Sequence, residues 1–124
     1  MQSIIISSLI MLLIDIFYIN FNNKYFNKFF YKVQQSKLVL NPFSALIAYI
    51  LMIIGINHFI ISKQRPVSDA FLLGLVIYGV YDATNYATLK NWTIKMALTD
   101  TLWGATLFSL TTYLTYYIKK PITI

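Results

Sequence analysis

Long apolar stretches set the rhythm of this chain. They run from about Ile4 to Phe21, Pro42 to Ser62, Ala70 to Thr88 and Met96 to Ile118. At 1.5 Å per residue each is long enough to cross about 30 Å of hydrocarbon. Lipid offers no partner to free backbone groups, so each stretch is predicted to be a helix. Asn41-Pro42 marks the start of the second span, because Pro is tolerated in the first turn, where its missing N–H is no loss. Ser68-Asp69 reads as a cap before the third, and Lys119-Lys120-Pro121 as the stop after the fourth. No basic segment precedes the first run and no small-residue cleavage site follows it, so it is expected to be retained rather than removed as a signal peptide.

Only the first connection is long. Within it Lys24, Lys28 and Lys32 recur every four residues, while Tyr25, Phe26, Phe29, Phe30 and Val33 fill the opposite stripe. This pattern predicts an amphipathic helix over 23–36 lying in the headgroup region. A plain aromatic-and-lysine belt ending the first span is the competing reading. The expected fold is therefore all-α: a four-helix transmembrane bundle with an interfacial amphipathic helix after the first span. Residues 1–124 form one integral membrane domain.

Composition agrees. Hydrophobic residues make up 58% of the 124 and charged residues only 11%, against about 45–50% and about 25% in soluble domains. A soluble core of this length could not hide so much apolar surface. Ten Lys or Arg face four Asp and no Glu, giving a net charge of +6. The bases are spread over every inter-span segment, as in membrane flanks, so nucleic acid is not the expected partner; the lipid bilayer is. Zero Cys excludes disulfides, thiolate metal sites and Cys nucleophiles. Four spans put both termini on one side. The first and third loops carry Lys24, Lys28, Lys32, Lys37, Lys90 and Lys95, and the terminal side carries Lys63, Arg65, Lys119 and Lys120. That imbalance points to a cytoplasmic first loop and extracytoplasmic termini.

Three of the four Asp residues, Asp15, Asp82 and Asp100, fall inside predicted spans. An Asp at a helix centre costs about 2.5–3.5 kcal/mol on the insertion scale. Such residues usually face a bundle interior or a wet cavity. Counted from Asn22, Lys90 and Lys95, all three lie roughly 7–12 Å inside the same membrane face. Helical spacing places Ser8, Tyr18 and Asn22 on the face of Asp15, Tyr78, Asn85 and Tyr86 on that of Asp82, and Trp103, Gly104 and Thr111 on that of Asp100. Gly104 is expected to admit a neighbouring helix or ligand. No Lys or Arg lies within the spans, although Lys90 and Lys95 are near enough to snorkel toward the acids. Otherwise the acids must be protonated, hydrogen-bonded or paired with a cation. Asp and Asn oxygens suit a hard divalent cation such as Mg²⁺ or Ca²⁺, and no other cofactor is indicated. A structural network of protonated acids tying helices together is the alternative, at about 0.6–2 kcal/mol per bond. His58, the single His, is placed at the opposite membrane face beside Asn57 and reads as structural. The threonines of the fourth helix are expected to bond back to their own carbonyls.

The stretch Tyr81-Asp82-Ala83-Thr84-Asn85-Tyr86-Ala87-Thr88-Leu89-Lys90-Asn91-Trp92 resembles the signature of a family of small bacterial membrane proteins, domain of unknown function 2177. Asp100-Thr101-Leu102-Trp103-Gly104 is similar to that family's Asp-x-x-Trp-Gly, Asp15 to its first-helix acid, and Phe29-Phe30-Tyr31 to its following aromatic segment. The chain departs in its Lys- and Asn-rich first loop and at Thr93, where family members often carry Pro after the Trp. The resemblance implies four spans, adds Tyr81 and Thr84 to the candidate residues, and supplies no activity.

Three functions compete. A small carrier or channel component would bind a proton, cation or cationic small molecule at Asp15, Asp82, Asp100 and Asn85, and is expected to work as a homodimer. A structural or assembly protein would instead dock a partner, of unknown identity, through the first-loop helix and the small-residue faces Ala83/Ala87 and Gly104. An intramembrane enzyme acting on a lipid is disfavoured, because no two or three acids fall within one helical turn.

Overall fold

The computed structural model describes residues 2–119. Lys120 and Pro121, two of the three residues of the expected stop signal, lie outside the described residues. Five helices follow one another: α1 (Gln2–Phe21), α2 (Asn23–Gln34), α3 (Pro42–Ile56), α4 (Val67–Thr88) and α5 (Ile94–Lys119). There is no strand among the described residues. Helix α3 does not stop at Ile56 but runs on through a wide π-helical turn, Asn57–Ile61.

Three helices are long and apolar enough to cross a membrane: α1, α3 with its π turn, and α4. The fourth expected span, α5, has the length, at 26 residues, but not the composition. Its polar side chains are turned inward: Thr111, Thr112 and Thr115 are fully buried beside Leu107 and Phe108. The same inversion runs through the bundle. Ser7, Asp15, Asn57 and Asp82 are buried, while Leu13, Phe17, Leu51, Leu72 and Val80 are more than half exposed. A fold with Ser, Thr and Asp inside and Leu, Phe and Val outside is suited to lipid rather than water.

Local signals explain the helix ends. Asn41 caps α3: its Oδ1 accepts from Ser44 N–H at 3.2 Å, with Pro42 in the first turn. Helix α2 ends on Gln35 in the left-handed region (φ 61°), whose N–H closes on Tyr31 O. The expected Ser68-Asp69 cap is displaced. Helix α4 begins earlier, after an extended Pro66, and no side chain caps it. Asp69 instead sits in the first turn and takes Arg65 Nε at 2.7 Å. The π turn also has a visible cause. Asn57 Nδ2 donates both to Ile53 O and to Ser7 Oγ, each at 2.9 Å, which pins the side chain inward against α1.

The core is centred on α5, which packs along α4 and against α1. Where α4 crosses α5 the backbones nearly touch. A Cβ added at Gly74 would lie 2.3 Å from the carbonyl oxygen of Gly104, and one at Gly104 would lie 2.1 Å from Cγ of Tyr78. Gly104 therefore admits a neighbouring helix, as its position implied, but the space belongs to Tyr78 and is not open to a ligand or an outside partner.

Helix α2 folds back on the bundle. Phe29 is buried against Trp92 and Met96, with ring centroids of Phe29 and Trp92 5.1 Å apart and edge to face. Phe26, Phe30 and Val33 join this cluster, and Asn91 Nδ2 holds Lys32 O at 3.1 Å. The apolar stripe of the amphipathic helix is thus covered by the α4–α5 turn. Lys24, Lys28 and Lys32 stay exposed on its other side. At the opposite end Lys119 Nζ reaches Ser3 Oγ, and the Tyr116 hydroxyl reaches the carbonyls of Ile60 and Arg65. Ser3, Lys119 and the α3–α4 connection therefore share one end of the bundle.

Candidate functional site

The three buried-span acids occupy neighbouring positions but two different environments. Asp15 lies on the inward stripe of α1, four and eight residues after Met11 and Ser7. It is 6% exposed and fully partnered. Trp103 Nε1 donates to Oδ1 at 2.9 Å, and the Tyr49 hydroxyl donates to Oδ2. Helices α1, α3 and α5 thus meet on one carboxyl group. Tyr18, one turn further along α1, stacks on Trp103 at 3.9 Å between centroids, 9° from parallel, and fixes the indole for that bond.

Asp82 and Asp100 form the second environment. Asp82 is 1% exposed at the α4–α5 interface, and Asp100 is partly exposed. Their carboxyl groups come within hydrogen-bonding reach of each other. Asp82 Oδ2 accepts from Thr101 Oγ1 at 3.4 Å, a long contact. Asp82 Oδ1 is buried, and no N–H or O–H of the described residues reaches it. The only ion pair among the described residues is Arg65–Asp69, so neither Lys90 nor Lys95 neutralises the acids. Lys95 leans over the Tyr25 ring instead, 6.0 Å from its centroid. Among the described residues no three carboxylate, His or Cys side chains gather to hold a metal ion. A Mg²⁺ or Ca²⁺ at the pair would have two carboxylates and no third.

The remaining candidates divide. Trp103 and Gly104 belong to the construction of the site, one as donor and one as the floor for Tyr78. Asn85 is half-buried and approaches the Tyr81 hydroxyl. Tyr81 is 53% exposed and packs its ring edge to face with Trp92 at 6.1 Å. Thr84 is exposed, and its carbonyl accepts from Thr88. These two reach neither acid. His58 is exposed at the far end, as its position on α3 implied. Thr106 and Thr115 do bond back to carbonyls four residues earlier, but Thr101 crosses to Asp82 and the hydroxyls of Thr111 and Thr112 are buried without partners. Tyr49 went unremarked in the sequence. Its tyrosine stands alone in the apolar α3 stretch, which is the one signal that could have found it.

An all-helical bundle with a polar interior, an apolar exterior and paired acids inside its helices is an integral membrane protein. The chain belongs to the family described as predicted membrane protein (DUF2177), whose model matches residues 1–117. No curated protein and no solved structure matches it.

Proposed function

We propose that this protein binds and releases a proton at the Asp82–Asp100 carboxyl pair, as the working site of a small carrier or channel. One observation carries the reading: Asp82, 1% exposed, faces a second carboxyl and keeps one oxygen that no donor among the described residues satisfies. Two carboxylates side by side in a lipid-shielded interior cannot both stay charged. A proton held between them removes the repulsion and gives the orphan oxygen a partner. Asp100, partly exposed, is the entry point, and Asp82 the buried acceptor. Asp15 serves differently. With both oxygens taken by Tyr49 and Trp103 it clasps three helices and holds α5 in place for Asp100. A bundle of this size offers few helices for a solitary carrier, so a homodimer is the working unit. The excess of lysine at the α2 end supports a cytoplasmic α2 end and extracytoplasmic termini.

The test is proton flux into vesicles containing purified protein and a trapped pH-sensitive dye. Wild type should collapse an imposed proton gradient, and Asp82→Asn and Asp100→Asn should each abolish that flux. Unaltered flux in both variants would reject the proposal. A second reading, a structural protein of a membrane complex, draws on the Asp15 clasp, where a buried carboxyl does purely architectural service. It expects no flux from wild type and a stoichiometric partner on co-purification.

A further inference from the structure

Between α2 and the α4–α5 turn lies a cleft of about 310 Å³, lined by Tyr25, Lys28, Lys32, Asn91, Thr93 and Lys95 together with the edge of Phe29. Lys28 and Lys32 stand one turn apart on the same side of α2, and Lys95 reaches in from the first turn of α5. Three ammonium groups from two separate elements therefore share one concavity. No carboxylate lines it. The chain has four Asp and no Glu. Of the four Asp, Asp15, Asp82 and Asp100 lie inside the bundle, and Asp69 is paired with Arg65 at the other end of α4. The positive charge of the cleft is thus uncompensated among the described residues.

Its level is fixed by the helices around it. Helix α1 ends at Phe21 and α4 at Thr88, both membrane-spanning by length and composition, and the cleft opens just beyond both ends. That is the depth of phospholipid headgroups. The walls are held rather than loose: Asn91 is tied to Lys32 O, and Phe29 is wedged against Trp92. Polar donors remain alongside the lysines. Asn91 spends one amide N–H on Lys32, and Thr93 Oγ1 only accepts, from Met96 N–H, so its own proton is free.

We propose that this cleft binds the phosphate of an anionic phospholipid headgroup, with Lys28, Lys32 and Lys95 as its charge partners and Asn91 and Thr93 as hydrogen-bond donors. The acyl chains of the same lipid would run down the apolar outer face of the bundle. A basic pocket at the end of transmembrane helices, level with the headgroups, matches anionic lipid in charge and position. The claim stands independently of proton transfer at the acid pair.

The experiment is lipid retention by the purified full chain, read by native mass spectrometry after exchange into mixed micelles of phosphatidylglycerol and phosphatidylcholine. Wild type should retain phosphatidylglycerol preferentially. The triple variant Lys28→Gln, Lys32→Gln, Lys95→Gln should lose that preference by about 100-fold. Two controls separate a site from diffuse charge: Lys24→Gln, Lys37→Gln, Lys90→Gln removes the same charge from the same end and should keep the preference, and Lys28→Arg, Lys32→Arg, Lys95→Arg should keep it too. Equal loss in both Gln triples would overturn the proposal, as would no preference in wild type. Displacement of the lipid by millimolar inorganic phosphate would also overturn it, since the cleft would then be a site for free anions. Circular dichroism of each variant confirms that these exposed substitutions leave the helices formed.

Discussion

Trp103 donates its indole N–H to Asp15 at 2.9 Å across 88 residues of chain. Removing only that donor isolates its worth. Trp103→Phe keeps an aromatic ring against Tyr18 but leaves Asp15 with Tyr49 alone. Unfolding in bicelles should show a loss of about 1–2 kcal/mol. Asp15→Asn should cost a similar amount, and the double variant should fall short of the sum, because both changes break the same bond.

The acid pair should behave in the opposite way. A proton site is built at the expense of stability. Asp82→Asn supplies an amide that can donate to Asp100 and leaves no facing carboxyls, so it should unfold at the same temperature as wild type or higher while losing flux. A thermal scan beside the flux assay checks this. A drop of several degrees would instead mark the pair as a structural fastening.

The α4–α5 crossing depends on two missing side chains. Gly74→Ala drives a Cβ against backbone of Gly104, which cannot swing aside, and should destabilise by about 1–3 kcal/mol or more. Gly104→Ala meets the root of the Tyr78 side chain and should cost a comparable amount. Gly55→Ala finds nothing within 4 Å and should be neutral or slightly stabilising. Thermal unfolding of the three variants gives the ranking.

Helix α2 is fastened by aromatic contacts. Trp92→Ala removes the partner of Phe29, Phe30 and Tyr81 together. Hydrogen exchange of residues 23–34 should rise by an order of magnitude or more, while α4 and α5 keep their protection. Trp92→Phe should preserve most of it, since the indole N–H has no partner to lose.

A chain without cysteine is ready for topology mapping. Single cysteines at Ser3 and Ser62 should react with a membrane-impermeant thiol reagent from the same side, and one at Ser36 only from the other. Labelling of Ser3 and Ser62 in intact cells would place the termini outside.

The helices were legible because apolar run length is a direct image of hydrocarbon thickness. Counting residues to Asn22, Lys90 and Lys95 gives an expected depth for each acid. What counting could not show is which way each acid turns about its helix axis. That rotation is set by packing: Gly74 and Gly104 bring α4 and α5 close enough for Asp82 to face Asp100, whereas Asp15 is claimed by Trp103 and by Tyr49 from a helix with no acid of its own. Spacing put Asn85 on the face of Asp82, and its side chain approaches the Tyr81 hydroxyl there. Length alone also made α5 look like any other span, although its threonines line the interior.

The wide turn at Asn57–Ile61 amounts to one residue more than a regular helix needs. It closes the helix, and Ile60, inside it, offers its carbonyl to the Tyr116 hydroxyl. Deleting a single residue there would therefore shift the Ile60 carbonyl away from the Tyr116 hydroxyl near the end of α5. An irregularity that looks like a blemish in one helix is the alignment key between two.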